Sequence, residues 1–418
     1  MRIAHLVCSA CCLALGAVAL GQAPTPLVQL QAEALTNNPG LQAARQSWRA
    51  AQAAIAPAGA LPDPQIQVQQ MSVHIPAPFT GFNDNMMSYA GIGATQALPY
   101  PGKLKLRAAV AAGGAQAQEQ RWKAACQQVL AQVADAYTSL AEARAVHAVL
   151  RQQQQALAQA EKLAELHYRT AQGTQADVLA AQLEQTRLLR DLDDNQEMQA
   201  AAQAELRALL NAPAGAAAIT PEPLRETHLM DSDPEVQSAL LQFDPVLAAQ
   251  RARLQGTAKA VSLARKNFKP DFSASYLYEH TASGFPDRYM WTLRMSLPFF
   301  HRASRQEPEL EQAIATHAAT DDQYSGLQQR QRLRLTLALL EAHNDEQILA
   351  VDQQGELPQA RASAASALTA YANGSADLNT YLTAWREELA IEQQYWHTLG
   401  AHETALATVT ELTGVKHD

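Results

Sequence analysis

The chain carries one plan written twice. Asn38-Pro39-Gly40-Leu41 is answered 206 residues later by Asp244-Pro245-Val246-Leu247, and Pro64 by Pro270 at the same offset. Gly81-Phe82-Asn83-Asp84 returns as Gly284-Phe285-Pro286-Asp287 after 203 residues, and Leu98-Pro99 as Leu297-Pro298 after 199. Gly173 and Asp177 return as Gly374 and Asp377, at offsets of 201 and 200. Each match alone is of chance quality. Five in one order at nearly one spacing specify an internal repeat, and a repeat decides the fold before any single element does. Residues 211–223, NAPAGAAAITPEP, have the composition of a linker between the halves. The division that follows is an export signal at 1–21, a first repeat at 22–212, a linker at 213–235 and a second repeat at 236–418.

Each half has the same internal order. A first helix (about 27–56, then 243–266) ends near a proline. A strand hairpin follows (64–98 and 271–298), then a long helical hairpin (103–211 and 303–413). No proline lies between Pro101 and Pro213, so the first long helix is expected from about residue 104 to 171. At about 1.5 Å per residue that is a rod on the order of 100 Å, which few globular domains can hold. Hydrophobic residues make up 47% of the chain, yet aromatics are only 6%, so the helices have thin seams and no thick core. Val129, Val133, Ala136 and Leu140 recur at spacings of three and four, the pattern of coiled-coil packing against neighbours.

Other stretches alternate with period two, which makes them strands. In residues 290–297 Trp291, Leu293, Met295 and Leu297 share one face, while Thr292, Arg294 and Ser296 share the other. Phe272, Ala274, Tyr276 and Tyr278 alternate with Ser273, Ser275, Leu277 and Glu279, and Ile66 and Val68 sit between glutamines. Such a sheet either packs on a soluble core or faces lipid. About nine residues per strand with aromatics on the apolar face fit an outer-membrane barrel. Four strands cannot close a barrel, and lipid leaves no unpaired sheet edge tolerable. On the membrane reading three chains would supply twelve strands, which makes a homotrimer the expectation.

The first residues favour export. Arg2 precedes an apolar run from Leu6 to Leu20, and Ala19-Leu20-Gly21 approximates a small-x-small cleavage site. Cys8, Cys11 and Cys12 fall inside this segment, and too little apolar sequence precedes Cys11 for a lipoprotein acceptor. Cys126 is then the single cysteine of the mature chain, so no intrachain disulfide is expected. Loss of residues 1–21 removes only the charge of Arg2 and takes the formal net charge from −9 to −10, which argues against a nucleic-acid partner. An enzyme reading finds no support: His402-Glu403 lacks the second histidine of a zinc-protease helix, and Gly91-Ile92-Gly93 lacks the third glycine of a dinucleotide loop. No cofactor is implied.

Taken together, these residues resemble the TolC-type outer membrane efflux family. The resemblance spans essentially the whole mature chain. It rests on Asn37-Asn38-Pro39 with Leu41 and Ala44, on the duplicated order of elements, and on a turn motif with Tyr168, Gly173, Gln175, Asp177, Val178 and Leu179. A weaker second copy contains Tyr371, Gly374, Asp377 and Leu378. The resemblance implies a mainly α fold with a β-barrel portion: a trimer forming a twelve-stranded barrel in outer membrane lipid, continued by a helical barrel across the periplasm. It also implies docking on a periplasmic adaptor and an inner-membrane pump of the resistance-nodulation-division (RND) type. Leu98-Pro99-Tyr100-Pro101-Gly102-Lys103-Leu104 is similar to the strand-to-helix elbow of the heavy-metal efflux branch, with Pro298 at the second elbow. Organic-compound efflux or type I secretion is the alternative within the class, and a periplasmic coiled-coil scaffold or adaptor is the alternative outside it.

A duct catalyses nothing, so the candidate residues are those of gate and docking. Gly173 and Gly374 are expected to supply left-handed residues that stop and reverse the helices, at tips where Tyr168, Gln175 and Tyr371 would meet an adaptor. Asp177 and Asp377 would start the returning helices, where a carboxylate suits the helix dipole, and would also ring the periplasmic aperture. Lys103, Lys105 and Arg107 are expected just below the apolar belt, where basic side chains reach headgroups. Met71, His74, Met86 and Met87 flank the first strand hairpin tip but lack a tight ligand spacing, so no metal site is assigned to them.

Overall fold

The computed structural model describes residues 24–72, 87–213, 215–228, 233–281 and 285–414. The export signal, His74, Met86, the tip motif at 81–84 and Gly284 lie outside them.

Each repeat opens on a broken helix rather than a single one. Helix α1 (Leu27–Asn37) gives way at Asn38 to α2 (Pro39–Ala53), followed by the short α3 (Ile55–Gly59). The Asn38 side chain accepts from the N–H groups of Gly40 and Leu41, at 2.9 and 3.2 Å. Asp244 does the same between α6 (Asp233–Phe243) and α7 (Pro245–Lys266), accepting from Val246 and Leu247 at 2.7 and 3.3 Å. The break follows from Pro39 and Pro245. Proline is tolerated at the first helical position, where no N–H is needed, but it forces the residue before it out of the helical region.

The long hairpins differ between the repeats. In the first, α4 (Lys103–Arg169) runs for 67 residues without interruption and returns as α5 (Gln175–Leu209). In the second, α8 (Glu307–Val351), α9 (Leu357–Ala372) and α10 (Leu378–Thr413) include two widened turns. There the Glu307 N–H reaches the Arg302 carbonyl, and the Leu357 N–H reaches Asp352, each five residues back. Pro308 and Pro358 follow at once. A proline ring clashes with the carbonyl four residues earlier and offers it no donor, and widening the preceding turn relieves both faults.

The helices form a row. Helix α4 packs against α2, α5, α7 and α10, and α8 packs against α7 and α10. The order is therefore α2 with α5, then α4, then α7 with α10, then α8. The seams are Leu and Ala: Leu150, Leu157, Ala160 and Ala164 of α4 meet Ala181, Leu188 and Leu192 of α5 and Leu382 and Trp385 of α10. The stretch between the repeats acts as a belt across the row. Thr25 N–H donates to the Thr220 carbonyl at 2.7 Å, Glu222 N–H to the Tyr137 hydroxyl at 2.7 Å, and Thr227 N–H to Glu403 at 3.0 Å.

At one end of the row stands a four-stranded antiparallel sheet in the order β1 (Gln65–Met71), β2 (Tyr89–Leu98), β3 (Phe272–Thr281), β4 (Arg288–Met295). The strand order repeats the helix order, because α2 and α3 lead into β1, β2 leads into α4, α7 leads into β3 and β4 leads towards α8. One wall of four columns results. No helix among the described residues is long and apolar enough to cross a membrane.

Candidate functional site

Three parts of this wall bear on function: the faces of the sheet, the elbow and the helical tips. The register sorts the sheet's side chains without ambiguity. Ile66, Ala94, Tyr276 and Trp291 form one row, and Val68, Ile92, Tyr278 and Tyr289 the next. Both rows lie on one face, and it is bare: Ile66 is 75% exposed and Trp291 78%. Tyr276 lies against Trp291 with ring centroids 4.8 Å apart. The opposite face carries Gln65, Gln67, Gln69, Thr95, Ser275 and Thr292, with Gly91 and Gly93 overlain by Leu277. An apolar face this large, backed by a polar one, is the inverse of a water-soluble sheet. Strands β1 and β4 each keep one unpaired edge.

The elbow holds its prolines where the chain changes from strand to helix: β2 ends at Leu98, and α4 begins at Lys103 after Pro99, Pro101 and Gly102. Gly102 takes the left-handed conformation at φ 86°, which glycine adopts without strain. The second elbow differs in form, since Pro298 opens a single tight helical turn before the first widened one. Lys103 does not reach outward to headgroups as expected. It is 3% exposed, with its ammonium donating to Asp271 Oδ1 at 2.9 Å and to the Lys269 carbonyl at 3.1 Å. The same Asp271 oxygen accepts from the Tyr100 N–H at 2.7 Å, and Lys266 donates to the Pro101 carbonyl at 3.0 Å. The cause is tertiary: residues 266–271 of the second repeat run beside this elbow and supply the carboxylate. Lys103 thus bolts the two repeats together, while Lys105 and Arg107 stay exposed. Asp271 and Lys266 were not among the expected residues, because nothing local marks them.

The tips correct the alignment of the repeats. In the first, Ala171 N–H donates to Tyr168, while Gln172 and Gly173 both donate to His167. In the second, Gly374 donates to Tyr371, while Ser375 and Ala376 both donate to Ala370. The structural offset is thus 203, and Ala171 is the counterpart of Gly374. Ala171 (φ 57°) and Gly374 (φ 72°) hold the left-handed positions. Gly173 does not. Its missing side chain instead leaves room for His167, whose Cβ lies 3.0 Å from where a Cβ would stand.

The two aspartates are not equivalent either. Thr174 caps α5 and accepts from the Asp177 N–H at 3.3 Å, while Asp177 Oδ2 accepts from the Thr174 N–H at 2.8 Å, a reciprocal capping box. Asp377 itself caps α10, and its Oδ1 accepts from the Thr380 N–H at 2.8 Å and the Thr380 hydroxyl at 2.6 Å. The pair is the same with its order reversed, Thr-x-x-Asp against Asp-x-x-Thr. The Thr380 hydroxyl and N–H hold the Asp377 carboxyl below its ordinary range. A group so depressed contributes its cap above that ordinary range and loses it as pH falls through the lowered value. Between the hairpins Tyr371 is buried with its ring edge-on to His167 at 5.0 Å, and burial, then the charge of Asp177, push its hydroxyl up. Tyr168 and Gln175 lie exposed on the first tip.

Met71 and Met87 are exposed next to the hairpin tip. Among the described residues no group of three or more His, Cys, Asp or Glu is placed to hold a metal. Cys126 packs beside the cluster of Val129, Val133 and Leu206, and burial pushes its thiol up.

A duplicated wall of strands and long helices, whose sheet bares an apolar face backed by a polar one, has the build of an outer-membrane channel protomer. The sequence profile of the outer membrane efflux protein family matches residues 30–212 and again 236–415, and the chain belongs to that family. Among solved structures it is similar to the outer-membrane channel OprN, at 18% identity and a TM-score of 0.81 over 93% of this chain and 90% of that one. CusC matches at 18% identity and a TM-score of 0.80, covering 93% and 92%. The outer membrane protein VceC from Vibrio cholerae matches at 19% and 0.79, covering 93% and 96%. No curated protein sequence matches the chain. Its family and the solved structures it resembles are channels and not enzymes.

Proposed function

We propose that the chain is the outer-membrane exit duct of a tripartite efflux system and works as a homotrimer. What carries the assembly is that the wall ends alike on both sides. Strands β1 and β4 have unpaired edges, and the outermost helices bare large apolar residues: Leu179, Leu183 and Leu189 on α5, and Leu333, Leu337 and Leu340 on α8. Three copies joined edge to edge satisfy both sets of edges and close twelve strands into a barrel. The helix rows then close a second barrel across the periplasm.

The tips at Tyr168, Gly173, Gln175 and Gly374 are the docking surface for a periplasmic adaptor, itself joined to an RND-type inner-membrane pump, while the buried Tyr371, expected at that surface, packs beneath it. Heavy-metal cations are the proposed cargo, on the likeness of the Pro99–Lys103 elbow to that branch. Purified protein should run as a heat-modifiable trimer from outer-membrane fractions and give discrete single-channel conductance in planar bilayers. A soluble periplasmic monomer without conductance would identify a coiled-coil scaffold instead. Loss of the gene should sensitise cells to transition-metal salts more than to organic dyes, and the opposite ranking would assign the duct to organic compounds.

Asp377 is proposed to line the aperture. Asn is as good a helix cap as Asp, so Asp377→Asn removes the charge and keeps the turn. Block by divalent or trivalent cations added from the periplasmic side should weaken in this variant. Unchanged block would leave Asp377 with its capping role alone.

A further inference from the structure

On the polar face of the sheet the strands carry only three charged side chains among the described residues, Glu279, Arg288 and Arg294. Two of them cancel. Glu279 is buried, lies 3.8 Å from Arg288 and accepts from Gln69 at 3.4 Å, while Arg288 also lies over the Tyr89 ring. Arg294 is different. It alternates with the outward Leu293 and Met295, so it points to the polar side. Its row neighbours are Ser273 and, one strand further, Ala97, both too short to cover a guanidinium. It is exposed, and no carboxylate among the described residues pairs with it. The strand ends one residue later at Met295, so Arg294 stands at the elbow end of the sheet.

We infer that Arg294 forms a ring of three unpaired guanidinium groups inside the barrel, at its periplasmic mouth, which draws small anions into the lumen and repels free cations. This rests on the trimeric duct reading. Twelve strands spaced about 4.8 Å apart and tilted by about 40° enclose a backbone radius of about 12 Å. Arginine side chains pointing inward bring their charge closer still to the axis. The Debye length is about 10 Å at 0.1 M salt and about 3 Å at 1 M. The ring therefore acts on every ion crossing at low salt and on few at high salt. A metal ion delivered from below would pass this level with its anions, or as an anionic complex.

The test is the reversal potential of the purified channel in planar bilayers under a potassium chloride gradient. With both sides near 0.1 M, Arg294→Gln should lower the chloride-over-potassium permeability ratio by roughly threefold, and Arg294→Glu by more. Arg294→Lys should keep the wild-type ratio, and near 1 M the variants should converge. The same low-salt ratio in wild type, Arg294→Gln and Arg294→Glu would overturn the inference, meaning that the ring is neutralised at the seam, where Asp63 is the acid nearest in sequence to β1. Should the wild-type protein itself give no conductance, the duct reading fails and the ring falls with it, an outcome distinct from a conducting channel whose selectivity ignores Arg294.

Discussion

Ala94→Arg should abolish or severely weaken trimer assembly, while Thr95→Arg, one residue along, should be tolerated. Ala94 lies on the bare apolar face in the row of Ile66, Tyr276 and Trp291, midway along β2 and away from the sheet's free edges. A charge on the lipid face near the bilayer midplane costs about 2–4 kcal/mol, and three copies each bear it. Thr95 shares its row with Gln65, Ser275 and Thr292, so an arginine there meets the polar lumen. Denaturant midpoints for refolding into lipid vesicles, with heat-modifiability as the assay, measure the difference. Equal midpoints for the two variants would mean that the apolar face does not meet lipid.

Asp271→Asn is the second large effect. The substitution keeps an Oδ1 acceptor for the Tyr100 N–H and the Lys103 ammonium but leaves that buried positive charge without its counter-ion. Removing one partner of a buried ion pair typically costs about 3–5 kcal/mol, and a value near 3 is expected because Asp271 is itself partly exposed. Lys103→Met should cost less, since the carboxylate left behind can be hydrated. The double variant should be more stable than Asp271→Asn alone, because no buried charge remains unmatched. Thermal dissociation of the trimer reads all three. If Asp271→Asn melts with the wild type, the pair does not bolt the repeats together.

The two strand faces were legible in the sequence because side-chain alternation needs only neighbours one and two residues away. Trp291, Leu293 and Met295 declare an apolar face without any reference to the rest of the fold. The capping role of Asn38 and Asp244 is equally local. What misled at the tips was also local: a glycine is visible in sequence, but a left-handed alanine is not, so Gly173 drew the reading that belongs to Ala171. Aligning the glycines then shifted the repeats by two or three residues and paired Asp177 with Asp377. The hydrogen-bonded turns make Thr380 the counterpart of Asp177 and Asp377 the counterpart of Thr174.

Sequence by itself determined the duplication, the two kinds of element and their order, because periodicity and proline placement act within a few turns of chain. It also marked the elbow at Pro99 and Pro101. Tertiary structure decided what the elbow is tied to and how the columns line up. The partner of Lys103 lies 168 residues away at Asp271, and no short-range rule selects it. Likewise, which arginine of the polar face stands alone depends on strand register, which places Glu279 beside Arg288 and gives Arg294 only Ser273 and Ala97. Alternation assigns a side chain to a face, but only the pairing of strands distant in sequence decides which charges on that face cancel.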